Sequence, residues 1–407
     1  MKNNRRNIVI LFGTLVIVML GFGMIIPILP FYIDAFGASG SELGLLMAIF
    51  AVMQFLFAPI WGQLSDRYGR KPILMVGVLG NAFSMLFFGL STELWMLYAS
   101  RALAGILSSA TLPTAMAYIG DSTSEENRGG GMGLMGAAMG VGMILGPGIG
   151  GWLADYALST PFFVAAGLST LMLPFILLVL PESLPKEERD RQEGGLSGPQ
   201  FKEMWQALFS PIGFLFILAF LVSFGLTNFE AVFGLYAKDR FDYDAKQVGT
   251  IMAVIGLISV VAQGGLIGPL SKRWGEAAII RGSLLASAIG FVVMLQARTY
   301  ATVLLTVGFF IVSNAMLRPA VSSLISRRTP SGQGVAMGLN NSFMSLGRII
   351  GPMWAGFVYD VNLTYPYYSG ALIMLVGFLM SLVWLKAESP EAVVQPRPAG
   401  EPESLKH

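Results

Sequence analysis

A carboxyl group set deep in an apolar run can take up a proton when enclosed and release it when wetted, so such groups mark transport pathways. Glu230 is the one carboxylate well inside an apolar stretch of this chain, about six residues from the end of a run over 211–236. Arg101 lies a similar distance from the outer end of a run over 95–119. At about 1.5 Å per helical residue, both sit roughly 10 Å deep. The two runs fall in opposite halves of the sequence, so Glu230 and Arg101 are expected to face one cavity. There Glu230 would carry the proton and Arg101 would modulate it. Asp34, at the outer end of the first run, completes the proton-coupling set.

Arg318 and Arg348 are further charges inside apolar runs, and with Arg101 they set three cations against one deep carboxylate. Two readings stand. If all three face the cavity, it is positive and suits anionic or zwitterionic amphiphiles. Otherwise Arg318 snorkels toward the cytoplasm and Arg348 braces its own helix. Mid-span polar and aromatic residues are the further candidates for substrate contact: Gln54, Phe224, Phe229, Phe233, Tyr236, Asn314, Asn340, Asn341 and Phe343. Amides buried in a span need partners, and the 23 methionines add an adaptable apolar lining.

The elements that must position these groups follow from composition. Of 407 residues, 54% are apolar and only 12% charged, with a mean hydropathy of +0.67. Soluble domains carry about 25% charged residues; this chain lacks the polar surface to be one. The apolar material falls into runs of about 20 residues, the length that crosses a bilayer core. An all-α polytopic membrane protein is therefore expected. The spans run over 8–33, 44–64, 73–91, 95–119, 130–153 and 161–180, then 211–236, 246–268, 276–296, 301–325, 335–358 and 364–387. They divide the chain into a first six-helix bundle (1–180), a charged cytoplasmic linker (181–210), a second bundle (211–387) and a tail (388–407) expected to be disordered. The basic N-terminus lacks an obvious signal-peptidase site and reads as an uncleaved first span.

Lysine and arginine crowd one side of this arrangement, from Arg5, Arg6, Arg67, Arg70 and Lys71 to Arg327 and Arg328, and the other side holds only Lys238, Arg240, Lys246 and Arg298. Both termini are thus expected in the cytoplasm of a cell-membrane protein. There are no cysteines, and the single histidine is His407. Disulfides, thiolate chemistry, a metal site and a serine–histidine centre are not expected, nor is nucleic-acid binding, because the basic residues flank spans. No phosphate-binding Walker loop is present to use ATP directly. A non-enzymatic protein without a bound cofactor, driven by a proton gradient, is the expectation.

Two stretches repeat. Gly62-Gln-Leu-Ser-Asp66-Arg67-Tyr-Gly69 is echoed 206 positions on by Gly268-Pro-Leu-Ser-Lys272-Arg-Trp-Gly275. Gly146-Pro147 through Gly150, Gly151 and Asp155 is echoed 205 positions on by Gly351-Pro352 through Gly356 and Asp360. Two matches at nearly one offset point to duplicated halves in the same orientation, with a site between them near the midplane.

The stretch Gly62–Pro72, continuing through Arg70 and Lys71, resembles the loop between helices 2 and 3 of the major facilitator superfamily. The Gly142 to Gly151 run, the Ile-Pro-Ile-Leu-Pro of Pro27 and Pro30, and the Arg101 segment resemble its twelve-helix drug:proton antiporter branch, including quinolone, multidrug and tetracycline exporters. The resemblance implies two pseudo-symmetric six-helix bundles working by alternating access, as a monomer, on a small lipophilic substrate amid membrane lipid. It implies that Asp66, Arg67, Gly69, Arg70 and Lys71 form a cytoplasmic lock with Asp121, and that Gly146, Pro147, Gly150 and Gly151 shape a gating helix. It implies a proton-carrying glutamate in helix 7, matched by Glu230. The helix 10 aspartate of those exporters is replaced, with Asn314 at the best-matching position. Export of lipophilic drugs in exchange for protons is the resulting expectation, with export or flipping of an anionic lipid or glycolipid as the alternative.

Overall fold

The computed structural model of the protein describes residues 2–123, 128–189, 198–329 and 332–385. The expected tail over 388–407 and the terminal His407 lie outside them. Six rods form the first half: α1 (Lys2–Asp34), α2 (Gly40–Tyr68), α3 (Arg70–Gly89), α4 (Leu94–Ser122), α5 (Arg128–Ala154) and α6 (Thr160–Val179). Six form the second: α7 (Gly213–Phe241), α8 (residues 245–274), α9 (residues 276–294), α10 (Tyr300–Arg328), α11 (Gln333–Val361) and α12 (Tyr365–Trp384). By length and hydropathy, ten described stretches could cross a membrane. One of these, Ala245–Met294, breaks at Gly275, whose φ of 75° no helix accommodates, and so holds both α8 and α9. The remaining rod, α11, is 29 residues long but carries Asn340, Asn341, Arg348 and Asp360, which dilute its hydropathy.

Helix starts repeat between the halves as the motifs do. Ser39 caps α2 in a capping box with Glu42, and 205 positions later Asp244 caps α8 in a capping box with Gln247. Each box satisfies two backbone donors that a helix start would otherwise leave open. Two short helices, Lys186–Arg189 and Phe201–Leu208, lie between the halves. The second buries Met204 and Ala207 in the core of the second half and sets Phe201 edge-on to Phe55 of α2, with ring centroids 5.9 Å apart.

Each half has its own packed interior, and at one end a shared cluster joins them. There Leu29, Leu43 and Leu46 of the first half pack with Leu235 and Ala245 of the second. This end, opposite the linker, is called the far end below; the linker lies at the near end.

Candidate transport site and gates

Four helices carry most of the contacts between halves: α5 against α8, and α2 against α11. At the far end the contacts are backbone to backbone. A Cβ added to Gly44 would meet the Pro352 carbonyl oxygen at 2.3 Å, and one on Gly249 would meet the Pro147 carbonyl oxygen at 2.5 Å. Gly356 lies against Gly40, and Gly151 against Ala245 and Gly249. The expected gating stretch in α5 therefore has two faces. Gly142, Gly146 and Gly150 pack on Met19–Met24 of α1, within the half, while Pro147 and Gly151 meet α8 across the divide. The division recurs 205 positions on: Gly347 and Gly351 pack on α7, and Pro352 and Gly356 meet α2. Glycines four apart give the flat surface that such close helix approach needs.

Polar latches surround this seal. Asp360, at the end of α11, accepts hydrogen bonds from the backbone N–H of Gly40 (2.7 Å) and Ser41 (2.8 Å) and from the Ser41 hydroxyl. Its repeat counterpart Asp155, at the end of α5, pairs with Lys246 of α8 at 3.0 Å. Asp34 pairs with Lys238 of α7, which places this expected proton-coupling residue in the far latch.

Toward the near end the same helix faces separate. Along α11 the face that meets α2 at Pro352 and Gly356 continues through Arg348, Ser345, Asn341, Gly338 and Gly334. A Cβ on Gly338 or Gly334 would meet nothing within 4 Å, and the same holds for Gly62 on α2, Gly136 on α5 and Gly264 on α8. A cleft thus opens between the halves toward the near end and is closed at the far end.

Glu230 lies at the top of this cleft. On α7, Glu230, Gly234 and Lys238 are spaced four apart and share one face. Lys238 is held by Asp34, and Gly234 lies against Pro30 of α1, which a Cβ would meet at 2.6 Å. Glu230 is therefore one turn inside the closure, half-buried. Arg348, likewise half-buried, is one turn inside the Pro352–Gly44 contact. Glu230 and Arg348 interact electrostatically, and so do Arg348 and Arg318. Arg318 is exposed and stands just after the break of α10 at Met316. Asn341 is exposed and Gln54 half-buried.

Two expectations are corrected here. Arg101 does not share the cleft with Glu230. It is 5% exposed and enclosed in the first half, its guanidinium 4.8 Å from the Phe88 ring centroid and 6.0 Å from that of Phe50. The close approach of Gly105 to Phe50 and Met53 draws α4 onto α2 and seats the arginine between aromatic faces. Several expected substrate contacts are also core residues. Phe229 packs on Phe233 and Phe310, Tyr236 on Tyr367, Phe343 on Phe216 and Phe224 on the partly buried Phe220, and the five expected contacts are themselves buried. Asn314 and Asn340 are buried too, and Asn340 Nδ2 donates to Ser322 Oγ at 3.2 Å. In α7 the aromatic side chains alternate with the cleft-facing stripe, and periodicity alone does not say which stripe is which.

At the near end, Arg70 is 7% exposed and bridges three elements. Its Nε donates to Asp121 at 2.9 Å, and its Nη1 donates to Ser65 at 2.8 Å and to Asp66. Lys71 donates to the Leu177 carbonyl at 2.7 Å, and Arg67 is half-buried in the last turn of α2. Gly69, at φ 101°, makes the turn that lets α3 start immediately after α2. Glu182, which sequence reasoning missed, accepts from the Arg70 and Lys71 backbone N–H groups at 2.8 and 3.2 Å and so caps α3 from the segment after α6.

This sequence and fold match a known group. The sequence model of the Major Facilitator Superfamily matches residues 11–317 and again 215–407, and the chain belongs to that family of multi-pass membrane transporters. It is 33% identical over 387 residues to multidrug resistance protein 2 of Bacillus subtilis (strain 168), covering 95% of this chain and 97% of the relative. It is 31% identical over 380 residues to the quinolone resistance protein NorA of Staphylococcus aureus (strain COL), covering 93% and 96%. Among solved structures, the nucleoside transporter NupG superposes with a TM-score of 0.76 at 14% identity, covering 95% of this chain and all of that one. A bacterial homologue of the lysosomal transporter Spinster, in an inward-facing and occupied conformation, superposes with a TM-score of 0.78 at 14% identity over 96% and 98%.

Proposed function

We propose that the protein exports lipophilic drugs and related amphiphiles across the cell membrane in exchange for protons. The observation that carries this reading is Glu230, placed one turn inside the far closure and at the head of a cleft open to the near end. Relatives named for multidrug and quinolone resistance, matched along nearly their full length, support the substrate class.

The excess of lysine and arginine at the near end assigns that end to the cytoplasm, with both termini there. The structure then corresponds to the inward-facing state. Substrate enters from the cytoplasm or inner leaflet, and Glu230 releases its proton into the water-filled cleft. Rocking of the halves breaks the far latches, closes the near end and exposes Glu230 to the outside, where it is reprotonated as the drug leaves. In this inward-facing state Asp66 is engaged by Arg70 within its own half. Closure of the near end would bring the Asp66–Arg70–Asp121 cluster toward α11 to form the lock. The protein works as a monomer, and the proton gradient replaces any bound cofactor.

The test is dye export from proteoliposomes under an imposed pH gradient, with wild type and Glu230→Gln side by side. Gradient-driven export by the wild type, lost in a Gln variant that still binds dye, supports the antiporter and its proton site. Undiminished export in the variant removes Glu230 as carrier, and no flux in either removes the drug-export reading.

A further inference from the structure

We propose that a groove on the outer face of the first half, between α3 and α6 at the near end, binds an anionic phospholipid, with the phosphate on Lys71 and one acyl chain along the groove. The proposal takes from the reading above only the assignment of the near end to the cytoplasmic leaflet. The site lies apart from the cleft between the halves.

In their far parts α3 and α6 pack closely. Asn81 Nδ2 donates to Ser169 Oγ at 2.9 Å, and a Cβ added to Gly89 would meet the Phe163 ring at 3.0 Å and Phe162 at 3.2 Å. Toward the near end the two helices part and leave a groove of about 660 Å³. Pro174 of α6 stands on its wall, and a proline inside a helix removes a backbone hydrogen bond and bends the chain. From Pro72 to Leu79 the groove follows α3 for two turns, about 10 Å. One hydrocarbon leaflet is roughly 15 Å deep, so the groove lines most of its depth. Leu79 is 56% exposed and Leu178 79%, which leaves the groove open to the bilayer.

Lys71 is the one charged residue on the groove and stands at its near end. Its ammonium donates to the Leu177 carbonyl at 2.7 Å, an oxygen the helix leaves open because the residue four positions on is Pro181. Among the described residues that ammonium pairs with no carboxylate, since neighbouring Glu182 is engaged by the α3 backbone and Arg189. An ammonium carries three donors, so two remain for a ligand. A single cation at the membrane surface, set over an apolar channel, is complementary to a phosphate over a hydrocarbon chain, and the cytoplasmic leaflet is the anionic one. Phosphatidylcholine and phosphatidylethanolamine bring their own cation to the phosphate. Phosphatidylglycerol brings none and leaves its charge for Lys71. The second half does not repeat these features: Lys71 corresponds to Ala277, 206 positions on, and Pro174 to Leu379, 205 positions on.

The test places a bimane fluorophore on a single engineered cysteine of the full chain. Leu178→Cys puts it on the groove, and Val383→Cys, 205 positions on and 74% exposed, puts it at the corresponding place on α12. Each protein is reconstituted in equal amounts of phosphatidylcholine and phosphatidylglycerol, with the acyl chains of one lipid or the other brominated. Quenching then gives the relative affinity of the two lipids at each position. Phosphatidylglycerol is expected to be favoured about fivefold at Leu178→Cys, the size of one lysine's attraction to an anionic lipid. No preference is expected at Val383→Cys. Added to Leu178→Cys, Lys71→Gln is expected to abolish the preference, and so is Val76→Trp, which keeps the lysine and fills the groove. Equal affinities at Leu178→Cys, the same preference at both positions, or a preference that survives either added substitution overturns the site. The measurement uses no substrate, so such a result leaves the drug-export reading standing.

Discussion

Glu276 and Arg327 form the same bridge as Arg70 and Asp121, 206 positions later and with the charges exchanged. Arg327 Nη2 lies 3.0 Å from Glu276 Oε1, and Ser323 donates to the same oxygen at 3.0 Å. Glu276 is 2% exposed and follows Gly275 as Arg70 follows Gly69, each glycine at positive φ. Duplication preserved the joint between the third and fourth helices of each half and inverted its polarity. Removing Arg327, whose side chain is 47% exposed, leaves the buried Glu276 without its counter-ion, a loss expected to fall below the roughly 3 kcal/mol of a fully buried pair. Thermal unfolding in detergent is expected to fall for Arg327→Ala and for Glu276→Arg, and to recover in Glu276→Arg combined with Arg327→Glu. No recovery in the double exchange would show that the bridge does not hold the joint.

Adding side chains to the far seal is expected to force it open. Gly44→Val and Gly249→Val each place atoms within about 2.5 Å of a carbonyl on the opposite half, where no side chain can yield. The population should shift toward the outward-open state. The chain has no cysteine, so single engineered cysteines report accessibility without background. A cysteine at Gly338 should lose reactivity toward a water-soluble maleimide, and one at Ser345 likewise, in either valine variant. Unchanged reactivity at both would sink the wedge argument.

The polar latches are expected to act separately. Asp360→Ala removes the acceptor for two backbone donors at the start of α2, a cap effect of about 1 kcal/mol. Asp155→Ala removes only an exposed pair with Lys246 and should do less. Because they share no partner, their effects on the inward-to-outward equilibrium should add. Distances between spin labels on α2 and α11, and on α5 and α8, measure that equilibrium. A combined effect no larger than that of Asp360→Ala alone would show a single latch.

Glu182→Gln is expected to weaken the near end of the first half. Its carboxylate accepts from Arg70 and Lys71 at the start of α3 and lies 3.6 Å from Arg189. An anion at a helix N-terminus is stabilised by the open donors and the helix dipole. The variant should lower the unfolding temperature modestly and increase proteolysis of the 181–189 segment; protection equal to wild type would remove the cap from the account.

The architecture was legible because membrane spans announce themselves by length and because the repeat at 205–206 positions survives in Gly, Pro, Asp and Arg. The Arg70–Asp121 pairing and the position of Glu230 followed from motif and depth. Arg101 was misplaced because depth fixes height in the membrane and not the side of the helix a residue occupies. Phe229 and Phe233 were misassigned for the same reason: in a helix apolar all round, nothing in the residue types marks the stripe that faces the cleft. The Glu276–Arg327 bridge was within reach, since the repeat offset carries Arg70 to Glu276 and Asp121 to Arg327. It was hidden because the exchange of charge makes aligned positions look dissimilar.

The contact of bare backbone at Gly151–Gly249 and Gly40–Gly356 bears on speed. Interlocked side chains behave like gear teeth, which must be drawn apart before two surfaces can part. Helix ridges stripped to glycine behave like plain bearings, which roll with little friction. The resistance to opening then resides in the detachable polar clasps at the rim together with the apolar cluster of Leu29, Leu43, Leu46, Leu235 and Ala245. Turnover in such a machine could be retuned by single substitutions at those clasps, leaving the binding cleft and its selectivity untouched.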